Sequence, residues 1–266
     1  MRRAGFTLVE VIVVISILAF LMAILSPLLS RSREQARTTV CASKIHDILL
    51  CLQTYDPENG SLPCGLRSPT KQAPPGGYAG DGSIDPAGWW WFNNARVLQR
   101  KSIRGVRGLQ CPSKRLDDAK LKGNILHANY GMNLSLCKVD ARFPPYDVDE
   151  FQGSPLSMST LTRPSETFLV GDSGYALICW WNAAKKPPVT FGNFAFDTAY
   201  VPGLEINAEK NVLSGEVRDA VGGRHPGKMI NLGFVDGHVY RHSASLLLVE
   251  KIGENEWNTS PVWRRK

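Results

Sequence analysis

The sequence predicts an α+β chain, with one long N-terminal α-helix packed against a small antiparallel β-sheet head that carries long loops. Three observations predict it. Residues Phe6–Leu25 form an apolar run of membrane length. Cys41, Ile45, Ile48, Leu49, Leu52 and Tyr55 then recur at spacings of three and four, the period of a helix with one buried face. Near the far end, "MINLGFV" and "HVYRH" flank Asp236-Gly237, a strong signal for a two-residue hairpin turn.

Within the apolar run only Thr7, Glu10 and Ser16 are polar. Twenty helical residues rise about 30 Å, one hydrocarbon thickness. A helix buried in a soluble core would show a polar face, and this one has none. A cleaved secretory signal would have an apolar stretch of about 7–15 residues ending at an A-x-A-like site. This run is longer and meets Pro27 and then Arg31, so it reads as an anchor. Arg2 and Arg3 precede it while Arg31, Arg33 and Arg37 follow, so charge alone does not set its orientation. Glu10 is the costly residue: a carboxylate at mid-bilayer costs about 2.5–3.5 kcal/mol. A place near the helix N-terminus reduces that cost, yet the charge still calls for a partner. A free α-amino group, made by a cut before Phe6, would supply one.

After Pro27 the helix resumes, and "YDPENG" stops it with Pro57 and Gly60, giving one helix over roughly residues 6–54 with Cys41 on its packed face. Gly60–Gly88 is rich in Gly and Pro and reads as an irregular connection. "WWWFNNARVLQR" (Trp89–Arg100) reads as a short helix whose tryptophans belong in the core or form a binding platform. "TFLVGD" and "ALICWW" read as strands around a glycine-containing turn, followed by the hairpin at Asp236-Gly237.

Hydrophobic content of 43% suits a folded chain of 266 residues. The net charge of +7 is scattered and no nucleic-acid-binding motif accompanies it, so no nucleic-acid partner is predicted. Cys41, Cys51, Cys64, Cys111, Cys137 and Cys179 all follow the apolar run. They are either buried thiols or one or two disulfides of undetermined pairing. No CxxC pair occurs, which argues against zinc. "GDSG" (Gly171–Gly174) matches the surroundings of a serine-protease nucleophile, but Tyr175 replaces the next glycine and no histidine has the right context. "GGRHPGKM" falls short of a phosphate-binding loop because Met229 replaces the hydroxyl that would hold magnesium. His225, Asp236, His238 and His242 have no diagnostic metal spacing and read as hairpin chemistry plus surface histidines. Asp147, Asp149 and Glu150 offer oxygens of the kind calcium takes, but no Asp-x-Asp-x-Asp-Gly loop frames them. No metal or other cofactor and no catalytic constellation is therefore predicted, and the chain is not expected to be an enzyme.

"RRAG/FTLVEVIVVISILAFLMAILSPLL" resembles the N-terminus of type IV pilins and type II secretion pseudopilins: a short basic leader, a glycine, a phenylalanine, T-L-x-E, an apolar helix and a proline. The resemblance implies a type IV pilin-like fold. It also implies that a prepilin peptidase cuts between Gly5 and Phe6 on the cytoplasmic side and N-methylates Phe6. Glu10 would pair with the N-terminus of a neighbouring subunit, and Pro27 would mark a kink or a locally melted turn. The leader would be cytoplasmic and the head extracytoplasmic, with the helix in the lipid of a bacterial inner membrane. The organisation would be leader (1–5), membrane and assembly helix (6–29), amphipathic continuation (30–56) and head (57–266). The C-P-S, Y-G-M-N, P-S-E-T-F-L-V-G-D and R-H…V-D-G-H-V elements are similar to those of large pseudopilin-like proteins of planctomycetes, verrucomicrobia and relatives. In that group a histidine precedes Asp-Gly by nine residues, whereas ten separate His225 from Asp236-Gly237 here. The resemblance implies a subunit that polymerises with other pilin-like subunits into a pseudopilus or pilus fibre. The alternative is a tethered or fibre-displayed module that binds a glycan or secreted protein, and a cryptic metal-dependent hydrolase is a third reading.

Overall fold

A computed structural model describes residues 7–67, 89–91, 109–114, 129–140, 150–185, 199–210, 212, 214–254, 256–259 and 262–263. Gly5, Phe6, Asp147 and Asp149 lie outside the described residues, as do most of the predicted Gly60–Gly88 connection and of the Trp89–Arg100 segment.

Helix α1 (Leu8–Asn59) runs 52 residues without a break. It continues through Pro27, so no turn is melted there; one missing N–H is bridged by flanking turns of Leu, Ile and Ala. It also outlasts the end expected from Pro57 by a full turn. The reason is tertiary: buried Asp56 accepts from the backbone N–H of Met158 at 3.1 Å and from the Ser157 hydroxyl at 3.0 Å, pinning the last turn to the head. Gly60 then closes the helix at φ 74°, donating its N–H to Asp56 O.

The head is built on a five-stranded sheet of order β5-β3-β4-β6-β7. Its strands are β3 (Tyr130–Asn133), β4 (Phe168–Asp172), β5 (Leu177–Ile178), β6 (Met229–Phe234) and β7 (Val239–Ser243). A separate antiparallel pair joins β1 (Leu66–Arg67) to β2 (Trp89–Trp90). Two one- to two-turn helices, α2 (Leu134–Cys137) and α3 (Val217–Gly222), complete the elements used below. The sheet is mixed rather than purely antiparallel, because β5 pairs parallel to β3 instead of folding back on β4. The intervening Ser173-Gly174 bend cannot form a tight hairpin: Gly174 sits under the Tyr200 ring, where a Cβ would come within 2.2 Å. "ALICWW" accordingly supplies only two strand residues before a 3₁₀ turn (Trp180–Ala183).

The β6–β7 hairpin forms as predicted, but with a longer turn. Phe234 N–H donates to His238 O at 2.9 Å, leaving Val235–Gly237 as a three-residue loop with Gly237 at φ 99°. A left-handed glycine in third place is the bulged form of a three-residue hairpin. Asp236 accepts from the His238 N–H at 3.2 Å and steadies the turn.

Helix α1 lies on β6, β4 and β7 through Cys41, Ile45, Ile48, Leu49 and Leu52, all buried. Each aliphatic side chain of this set contributes about 1.5–3 kcal/mol through burial. Close approach depends on Gly233 in β6: a Cβ there would stand 2.6 Å from Ile45 and 2.8 Å from Leu49. Trp91 is also fully buried, its indole N–H donating to Ala176 O at 2.7 Å, so this tryptophan serves the core rather than a surface platform.

Candidate functional site

Two features carry chemistry. The first is the free half of α1. Every residue from Leu8 to Arg33 is exposed, and the first fully buried one is Thr38. By length and composition this stretch can cross a membrane. Its one acid, Glu10, is locally satisfied. Glu10 Oε2 accepts from Thr7 N–H at 2.8 Å and from the Thr7 hydroxyl at 2.7 Å, while Thr7 Oγ accepts from Glu10 N–H at 3.3 Å. This is a reciprocal capping box, legible as T-L-V-E although the sequence reading sought Glu10's partner elsewhere.

The second feature lies where α1 meets the sheet, and no spacing motif in the sequence announces it. Cys41 from α1, Cys111 from the "CPSK" turn, Asp172 at the end of β4 and His225 ahead of β6 converge, all buried. One ligand-type atom from each lies within 4.8 Å of the other three. Cys41 Sγ–H donates to Asp172 Oδ1 at 3.2 Å. His225 Nε2 stands 3.1 Å from Asp172 Oδ2 and 3.8 Å from Cys111 Sγ. Three local features aim these groups inward. Cys41 sits one turn after Thr38 on the same face of α1. The "CPSK" turn is closed by Lys114 N–H on Cys111 O at 3.1 Å. Gly223 ends α3 at φ 77° against Lys228, which turns Arg224 and His225 into the interior.

The surroundings fix each group. The single Thr38 hydroxyl hydrogen is donated to Glu34 O at 2.9 Å, so Thr38 Oγ, 3.2 Å from His225 Nδ1, must accept from Nδ1–H. That leaves Nε2 as the ring atom facing Asp172, Cys111 and the Asn231 side-chain amide, whose Nδ2 is 3.1 Å away. Asn231 N–H donates to Asp172 Oδ2 at 2.7 Å, and the Tyr130 hydroxyl donates to Cys41 Sγ at 3.4 Å. Arg224, fully buried, binds Asp219 at 2.7 Å, donates to Asn129 O at 2.7 Å and Ser173 O at 3.0 Å, and lies 3.6 Å from Asp172. Burial alone would lower the His225 imidazolium, but the Asp172 carboxylate outweighs it and holds the group up at about 9. Burial likewise opposes ionisation of Cys111, yet the polar contacts it makes with Cys41 and His225 bring its thiol down to about 6. Asp172 stays below its ordinary range because His225, Arg224 and the Asn231 N–H outweigh its burial.

The predicted site residues thus separate. His225 and Asp236 stand at opposite ends of β6, His225 in the buried cluster and Asp236 in the turn against His238. His225 does not group with Asp236, His238 and His242; His238 stacks on Phe234 at 4.3 Å. Ser173 of "GDSG" caps its own bend, accepting from Tyr175 N–H at 3.0 Å, while His225 addresses Asp172. No disulfide joins any of the six cysteines, so the pairings that their even number allows are not formed. Glu150, the described member of the suggested calcium trio, accepts from Ser135 and the Trp180 indole.

Residues 1–26 match the prokaryotic N-terminal methylation motif. The chain is similar to the type IV wide pilus major component PilA4 of Thermus thermophilus, with 40% identity over 62 residues. That stretch is 23% of this chain and spans about half (47%) of the relative. No solved structure matches. With its long apolar helix and small mixed sheet, the chain is type IV pilin-like.

Proposed function

We propose that this type IV pilin-like chain is a structural assembly subunit: it is cut between Gly5 and Phe6, N-methylated on Phe6, and polymerised through α1 into a pilus or pseudopilus fibre. It is thus the substrate of a prepilin peptidase rather than an enzyme, and before assembly it sits in the inner membrane with its head outside the cytoplasm. The observation that carries this reading is the exposed half of α1, apolar on all sides, with one carboxylate three residues into it. Lipid satisfies such a surface in the free subunit, and other copies of the helix satisfy it in a fibre. Thr7 shields one oxygen of Glu10, so Oε1 remains to accept from the methylated ammonium of a neighbouring Phe6. A secretion pseudopilus is the assembly we favour, on the resemblance of the head motifs to pseudopilin-like proteins.

Mass spectrometry of the mature chain tests this reading. It should find N-methylphenylalanine at Phe6, and an intact Met1 in a host with prepilin peptidase would refute it. Glu10→Ala should leave cleavage intact and sharply reduce fibres seen by electron microscopy.

A further inference from the structure

We propose that Cys41, Cys111, Asp172 and His225 form a structural zinc site that fastens α1 to the head. The donor set fits a zinc-class ion: two sulfurs, one imidazole nitrogen and one carboxylate oxygen are the ligands of closed, four-coordinate sites. The spacing fits as well. Tetrahedral bonds of about 2.0 Å to N or O and 2.3 Å to S place neighbouring donors roughly 3.3–3.8 Å apart. The cluster shows 3.1 Å from His225 Nε2 to Asp172 Oδ2, 3.2 Å from Cys41 Sγ to the other oxygen, Oδ1, and 3.8 Å from Cys111 to His225. One donor atom from each residue lies within 4.8 Å of the other three, so small side-chain shifts would close the four donors around an ion.

The supporting contacts are those of a metal site. Thr38 accepts from Nδ1–H and so points the Nε2 lone pair at the centre. Asn231 N–H and Arg224 hold the carboxylate, and the Tyr130 hydroxyl donates to one sulfur. Such outer contacts orient ligands and set their basicity. All four ligands are buried, which leaves no open position for water or substrate and makes the site structural rather than catalytic. On binding, whatever protons Cys41 Sγ, Cys111 Sγ and His225 Nε2 still carry leave to solvent, and four bonds to Zn²⁺ form in their place. The four ligands come from α1, the "CPSK" turn, β4 and the segment before β6, so one ion joins the helix to three parts of the head. The inference stands whether or not the chain assembles into a fibre.

The test uses the full chain purified in detergent under non-reducing conditions. Elemental analysis should find about one zinc per chain, or, after chelation, zinc chloride should titrate to that ratio. Cobalt(II) in its place should give thiolate-to-metal charge-transfer absorption and the visible bands of a tetrahedral ion. Thr38→Val should weaken zinc about 10–100-fold by freeing the imidazole. Cys111→Ser should abolish the charge-transfer pattern of two thiolates, and Cys179→Ser, a buried thiol elsewhere, should leave binding unchanged. A wild-type chain that neither contains nor takes up zinc overturns the proposal. So does a Cys41–Cys111 disulfide found by peptide mapping, or zinc retained at full affinity in folded Cys111→Ser. Should Cys111→Ser fail to fold, the wild-type stoichiometry and cobalt spectrum decide alone.

Discussion

A single side chain, Arg224, holds much of the polar interior together. It is fully buried, binds Asp219 and the Asn129 and Ser173 carbonyls, and faces Asp172. Removing one member of a buried ion pair leaves its partner's charge unsatisfied, at a cost of about 3–5 kcal/mol. Arg224→Met should therefore lower the head's unfolding free energy by that much in urea titrations followed by tryptophan fluorescence. At this scale the sequence was only partly legible. T-L-V-E announces its capping box, and Gly237 its turn. The cluster of Cys41, Cys111, Asp172 and His225 was not readable, because its members lie 61 to 70 residues apart at their closest sequence intervals outside the His225–Asp172 gap of 53. Spacing motifs register ligands on one loop or helix face, whereas strand pairing and helix docking bring these four together.

Helix α1 has two halves under different physical rules. Between Cys41 and Leu52 its apolar residues are buried against the head, while those from Leu8 to Leu29 are exposed. Ile48→Ala should cost about 2–5 kcal/mol of head stability, measured by the same urea titration. Ile15→Ala should leave that stability unchanged and, under the assembly reading, reduce fibre yield. The three- and four-residue spacing disclosed the packed half because amphipathic periodicity is local. The sheet was less legible. The β6–β7 hairpin follows from alternation around a turn, but the parallel pairing of β5 with β3 goes with the close packing of the Tyr200 ring on Gly174, a contact between distant residues.

For the molecule as a whole, the boundary between head and free helix falls near Glu34, the first helix residue with partial burial. A chain beginning at residue 30 should fold as a water-soluble head with the urea midpoint of the full chain. A lower midpoint would mean that the apolar half also supports the head. The α+β class was readable from end to end, since it rests on one long apolar run and one hairpin.

Gly233 has a consequence for orientation. Because Ile45 and Leu49 drop into the notch where its side chain would stand, α1 has one rotational setting on the sheet. Turning the helix by one residue, about 100°, would bring a different pair to the notch. The azimuth of the head about the helix axis is therefore locked, and in any array of parallel helices every head would face outward with the same side. One hydrogen atom in place of a methyl group thus decides which surface of the protein the outside world meets.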